Sequence, residues 1–298
     1  MTTGALTDSR RQVSAFGAAR PVTAFVLSGG ASLAAAQAGM LEALYERGIA
    51  PDFLVGTSAG ALNAAFISSR AQTVETATAL GRVWRRLARE DVFPVSPAAL
   101  VRGICGRRDH LVADRALRLL VRGYLEFERI EDAPIPLHVV AFDVEAGREA
   151  VLSSGPALDG IAASAAIPGI FPPVTFEGRR LIDGGVVNNT PISWAVALGA
   201  ELIYVLPTQY PCQSLDRAPT SALDAAMYGL VLAIGSRLEA DLARYSREVD
   251  LVVLPAPDVG AARPTEFANS LMLMREARAL ARSVLARRGQ GRHLRLAG

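Results

Sequence analysis

The stretch FLVGTSAGALNAAF, residues 53–66, sets one hydroxyl, Ser58, between two glycines, Gly56 and Gly60. Phe53, Leu54 and Val55 before it form an apolar run suited to a buried strand, and the chain after it resumes a pattern that suits a helix. Gly-x-Ser-x-Gly between a strand and a helix is the pattern of a nucleophile elbow, whose cramped turn demands small neighbours and lifts the serine oxygen clear of the sheet. A helix starting there points its N-terminal amides and the positive end of its dipole at whatever Ser58 attacks. A plain helix N-cap is the other reading, because serine caps well.

Working outward, residues 22–27 are apolar and end in Ser28, Gly29 and Gly30, followed by an Ala-rich helical stretch over about 32–46 that Arg47 and Gly48 close. With 53–55 this makes a βαβ unit, hence a parallel sheet covered by helices. Further strands are expected at 137–142, 149–152, 180–182, 202–206 and 251–254. Helices are expected at about 61–69, 74–88, 114–124, 158–165, 192–198, 221–245 and 266–287. The pattern is that of one α/β domain over 21–288, with a helical cap inserted at about 91–133, where Pro94, Pro97, Gly103 and Gly106 punctuate the chain. Residues 1–20 read as a frayed leader and 289–298 as an Arg-rich tail.

A hydrophobic content of 51% supports a sizeable core and argues against disorder, and a net charge of +2 gives no reason to expect a nucleic-acid partner. All 31 Lys-plus-Arg residues are arginines. Cys105 and Cys212 sit in no metal-ligand spacing and define no disulfide framework, which fits a reducing compartment. The N-terminus lacks the apolar core of a signal peptide, and no stretch reaches the roughly 18 apolar residues of a membrane span. The expectation is a soluble, cytoplasmic protein needing neither metal nor cofactor, with peripheral membrane contact left open.

If Ser58 is a nucleophile it needs a base, and histidine is scarce. His138 falls inside an expected strand and His110 in the irregular cap; only His293, in the Arg-rich tail, lies anywhere suitable, and the nucleophile follows only the second strand, so a Ser-His-Asp triad is disfavoured. A carboxylate acting directly on the serine remains. Asp183 in RRLIDGGVVNNTPI stands out because it follows a short strand and precedes Gly184 and Gly185, which let the backbone approach another group. Asp-Gly between apolar runs is also a common hairpin turn.

Four blocks, LSGGASLAAAQAGML, GTSAGALNAAF, ASAAIPGIFPPV and IDGGVVNNTP, occur in the order and with about the separations of patatin-like phospholipases. The chain resembles that family from residue 22 to about 206. The resemblance implies a three-layer α/β/α fold on a mainly parallel sheet and a lipid acyl hydrolase with a Ser-Asp dyad, acting on a lipid or acyl-ester substrate. By position, Ser58 is similar to the family's nucleophile and Asp183 to its base, with Gly56 and Gly60 forming the elbow and Gly184 and Gly185 the acid loop. The backbone amides of Gly29, Gly30 and Ala31 correspond to the oxyanion hole.

The usual oxyanion loop reads Gly-Gly-Gly-x-Arg/Lys-Gly, whereas this chain has Gly29, Gly30, Ala31, Ser32, Leu33 and Ala34. Alanine keeps the N–H, but if position 31 needs a positive φ it costs about 1 kcal/mol or more. The departure leaves a second expectation beside the hydrolase: a weak or inactive relative that binds acyl lipid or a protein partner. Ser164 lacks an elbow and is assigned to structure; Asn188 and Asn189 are expected to anchor the acid loop. Arg82, Arg85, Arg86 and Arg89 beside Trp84, with Arg275, Arg278, Arg282, Arg287, Arg288, Arg292 and Arg295, suit either docking on anionic lipid or, preferably, a solvated face balanced by acids such as Glu90, Asp91 and Glu276.

Overall fold

The computed structural model describes residues 20–94, 109–208, 222–258 and 265–289. Cys105, Cys212, His293 and most of the expected leader and tail lie outside them, as does 95–108 of the expected cap. The fold is α/β in three layers. Eight strands form one mixed sheet: β1 (Thr23–Leu27), β2 (Phe53–Thr57), β3 (Leu137–Asp143), β4 (Arg148–Leu152), β5 (Val174–Phe176), β6 (Arg179–Asp183), β7 (Leu202–Leu206) and β8 (Asp250–Val253). The order is β5-β6-β3-β2-β1-β7-β8, with β4 paired to β3. The β1–β2, β2–β3, β1–β7 and β7–β8 pairs are parallel, and β4, β5 and β6 join antiparallel.

Alternation along β1 divides the core between two faces. Ala24 and Val26 join Val55, Val140, Ile203 and Val205 under the helices Ile192–Ala197 and Ala222–Tyr245. Phe25 and Leu27 join Leu54, Val139 and Ala141 under the opposite layer, where α1 (Ala36–Tyr45), α2 (Ala59–Ser68) and α3 (Val74–Arg86) lie with the helices Ala157–Ser164 and Ser270–Gly289. Burying each of the larger aliphatic or aromatic side chains contributes about 1.5–3 kcal/mol.

Three departures from the sequence reading have local causes. The helix expected from 32 begins as a 3-10 turn over Ala31–Ala35 and becomes α-helical only at Ala36, because Ala31 enters at φ 48°. β5 went unforeseen because it is three residues long and follows Pro172 and Pro173; it turns into β6 through Glu177 and Gly178, both at positive φ. The helix expected over 74–88 stops at Arg86, and Arg89–Val92 forms a separate short turn.

β3 carries the arrangement that matters most. Its Val139 pairs with Gly56 of β2 and with Leu152 of β4, while its Ala141 pairs with Ala150 of β4 and with Asp183 of β6. Because β4 keeps one edge throughout, β2 and β6 share the other edge and meet end to end. β2 runs up to Thr57, opposite Val140, and β6 runs down to Asp183, opposite Ala141. The two strand ends therefore abut above adjacent residues of one template strand.

Candidate active site

Ser58 emerges from the end of β2 at φ 55° and ψ −127° and caps α2. Such a backbone costs a non-glycine residue of order 1–3 kcal/mol, so its surroundings must hold it. Gly56 lies within β2, and Gly60 lets α2 press onto the end of β1: a Cβ at Gly60 would stand 2.2 Å from the Leu27 carbonyl oxygen. The Ser58 N–H donates to Ser164 Oγ at 2.8 Å, and its carbonyl accepts the Ala61 and Leu62 amides. The side chain makes no capping hydrogen bond to the helix.

That hydroxyl lies near enough to the Asp183 carboxylate to favour its charged form. Asp183 is 5% exposed. Its Oδ1 also accepts the Gly185 N–H at 2.7 Å, and its own N–H donates to the Ala166 carbonyl at 3.0 Å. Burial pushes the carboxyl up from 3.8 to about 6, against the pull of the Ser58 hydroxyl and the Gly185 N–H, which favour the charged form. Asp183 therefore titrates nearer neutrality than a free carboxyl, and is mostly ionised at pH 7. Gly184 follows it and opens the short helix Gly185–Asn188.

Neither of the two described histidines takes part in this contact. His110 Nδ1 lies 2.8 Å from Asp109 and His138 Nδ1 lies 2.7 Å from Ser153 Oγ. The chemistry open to the pair is direct transfer of a hydroxyl proton to a carboxylate.

The first glycine loop differs from expectation at one donor. The Gly29 N–H, anticipated as an oxyanion donor, is given to the Asn189 carbonyl at 3.1 Å, while Asn189 Nδ2 donates to the Gly29 carbonyl at 3.1 Å. Gly29 is thus stitched to the acid loop in both directions and packed so tightly that a Cβ would lie 2.9 Å from Ser58 Cβ. Gly30 and Ala31 donate no backbone hydrogen bond among the described residues. Ala31 sits at φ 48°, the positive value that the family's glycine would accept freely.

A buried polar chain fixes the loop from behind. Gln37 Nε2 donates to the Ser28 and Leu206 carbonyls, Asn63 Nδ2 donates to Gln37 Oε1 and to the Ala34 carbonyl, and Trp84 Nε1 donates to Asn63 Oδ1. Trp84 is thereby committed to the interior at 5% exposure and offers nothing to a membrane interface. Asn189 Nδ2 anchors the acid loop to the Gly29 backbone, as the sequence suggested, whereas Asn188 Nδ2 donates to the side chains of Glu149 and Ser193.

An apolar cleft opens in front of Ser58, with a cavity volume of about 80 Å3. Leu62 and Phe66 of α2, Leu80 and Val83 of α3, Leu117 and Val121 of the helix Arg115–Tyr124, and Ile167 and Phe171 line it. Its wall is suited to a hydrocarbon chain.

The patatin-like phospholipase family model matches residues 25–196, more than half of the chain. The chain belongs to the patatin-like phospholipase family. It is 30% identical over 188 residues to Lysophospholipase NTE1 of Mycosarcoma maydis, covering 61% of this chain and 9% of that protein. It is also 30% identical over 186 residues to the uncharacterized NTE family protein Mb1092c of Mycobacterium bovis, covering 62% and 49%. The chain thus spans less than half the length of either relative. Among solved structures, human GIVD cytosolic phospholipase A2 aligns over 89% of this chain and 58% of its own at 13% identity, with a TM-score of 0.49.

Other sequence expectations sort clearly. Arg278 and Arg282 pair with Glu46, Arg278 also with Glu42, and Arg288 with Asp250, so much of the C-terminal basic run is compensated within the fold. Arg82, Arg85, Arg86 and Arg89 are exposed and make no ion pair among the described residues; Asp91, expected to balance them, accepts the Ala88 N–H instead. Among the described residues there is no cluster of three or more metal-ligating side chains and no helix long and apolar enough to cross a membrane. Sequence reasoning missed the parts played by Ser164 and Thr208. The latter takes the Ser28 hydroxyl with its N–H at 2.8 Å and packs against Gly30, and no local pattern marks it.

Proposed function

We propose that the chain is a serine lipid acyl hydrolase that cleaves carboxylic esters through a Ser58–Asp183 dyad. The observation that carries this is the strand-end geometry that sets Ser58, at its positive-φ elbow, beside the buried Asp183 carboxylate at the head of an apolar cleft. As Ser58 Oγ attacks the ester carbonyl carbon, its proton passes to Asp183; the tetrahedral intermediate expels the alcohol, which leaves with that proton. Water then attacks the acyl-enzyme, gives a proton to Asp183 and releases the fatty acid as Ser58 recovers its hydrogen. The amides of Gly30 and Ala31 are the donors free to face the developing oxyanion. The cleft's hydrocarbon lining favours an acyl chain, in keeping with the lysophospholipase name of one relative.

The test is a panel of p-nitrophenyl esters of graded chain length, run on the wild type and on Ser58→Ala. Loss of hydrolysis in the variant is expected; equal rates would reject the dyad.

A second reading, a lipid binder with little turnover, draws on two observations: the Gly29 N–H is committed to Asn189, and Ala31 holds a strained conformation. Labelling with a fluorophosphonate separates the two. A folded protein whose Ser58 stays unlabelled is the binder.

A further inference from the structure

The turn that ends the helix Ala157–Ser164 touches both members of the dyad within three residues. Ser164 Oγ accepts the Ser58 N–H at 2.8 Å and donates its own hydrogen to the Val140 carbonyl at 2.5 Å. Two residues on, the Ala166 carbonyl accepts the Asp183 N–H at 3.0 Å. Val140 and Ala141 are the β3 residues above which Thr57 and Asp183 meet. Ser164 is wholly buried, and Ala165 between the two contacts lines the cleft beside Ser58.

We infer that Ser164 is a positioning residue for the reaction: its hydroxyl, braced on β3, holds the Ser58 backbone in its elbow while the adjacent turn holds that of Asp183, fixing the reach between them. The inference rests on the proposed hydrolase reading. The physical reason lies in the elbow itself. Ser58 stands at φ 55°, ψ −127°, and its amide has no backbone acceptor among the described residues; Ser164 Oγ supplies the missing one. Without it the amide is a buried unpaired donor, and rotating the peptide to find another partner swings Ser58 Oγ away from the carboxylate. A shift of about 1 Å in a reacting group is enough to cost about 100-fold in rate. Cleft residues that only bind the acyl chain would act on KM instead.

The experiment compares wild type, Ser164→Ala and Ser164→Cys in the full chain, measuring acylation of Ser58 by a fluorophosphonate per folded molecule, kcat and KM for one p-nitrophenyl ester, and thermal stability. The cysteine keeps a weak donor and acceptor at this position, on a sulfur larger than the oxygen it replaces. The expected result is a fall in acylation rate and kcat of about 10- to 100-fold in Ser164→Ala, a smaller fall in Ser164→Cys, and KM within about twofold of wild type for both. An acylation rate in Ser164→Ala within about twofold of wild type overturns the inference, as does a loss confined to KM. Ser58→Ala is assayed alongside. Full hydrolysis by it would overturn the functional reading and this inference with it, whereas an inactive Ser58→Ala beside a fully active Ser164→Ala would overturn the inference alone.

Discussion

Replacing Asp183 with asparagine is expected to abolish turnover and at the same time stabilise the protein, by an amount that depends on pH. Burial raises the Asp183 carboxyl from 3.8 to about 6. At about 1.4 kcal/mol for each tenfold change in proton affinity, holding the ionised form in the fold costs about 3 kcal/mol. The sign follows from which form the fold prefers. Below 3.8 the group is protonated in both folded and unfolded chains and carries no penalty; as pH rises through about 6 the folded chain must also accept the charge, and the stability present at low pH is lost. Asparagine never ionises, can still accept the Gly185 N–H and can donate to Ser58 Oγ. The stability of Asp183→Asn relative to wild type should therefore be near zero at pH 4, climb between about 4 and 6, and reach about 1–3 kcal/mol at pH 8. Urea unfolding at a series of pH values reads this directly. A difference that stays flat with pH, or an asparagine variant no more stable than wild type at pH 8, would refute the claim that the carboxylate is held strained by burial for use as a base.

Three further outcomes are expected. The kcat/KM for a soluble ester should fall about tenfold per unit as pH drops below about 6 and level off above it, because only ionised Asp183 accepts the Ser58 proton; a profile unchanged from pH 5 to 8 would contradict this. Ala31→Gly should raise kcat by up to about fivefold by relieving a positive-φ alanine worth about 1 kcal/mol, while changing stability by less than about 1 kcal/mol because glycine gains freedom in the unfolded chain; an unchanged or lower kcat would show that the loop does not limit the rate. Gly60→Ala should cost more than about 3 kcal/mol or prevent folding, since its Cβ would press into the Leu27 carbonyl; a melting temperature equal to wild type would mean that α2 does not sit so closely on β1.

Much of this architecture was legible in the order of the residues. The apolar runs of β1 and β7, the apolar run into Gly56 and the helical pattern after Gly60 follow from local stereochemistry and hydrophobic pattern, which is why every strand but β5 and most helices fall within a few residues of expectation. The positive φ at residue 31 was written in the contrast between GGASLA and a glycine-rich loop, because only backbone geometry makes that glycine useful. Ser58 and Asp183 stood out through their small neighbours. Thr208, Asn63 and Gln37 carried no such mark, for a buried polar residue announces itself only when its partners are known.

The chain by itself determined that one hydroxyl would sit at a cramped strand-to-helix turn and that one acid would end a short strand before two glycines. Tertiary structure alone decided that they come together. Residues 125 positions apart in sequence meet because β2 and β6 end on adjacent residues of β3, a register no local pattern encodes. The same assembly removed the Gly29 amide from the expected donors and turned Ser164 from a helix end into a strut, since a hydrogen-bonding group is committed only when folding brings its partner within about 3 Å.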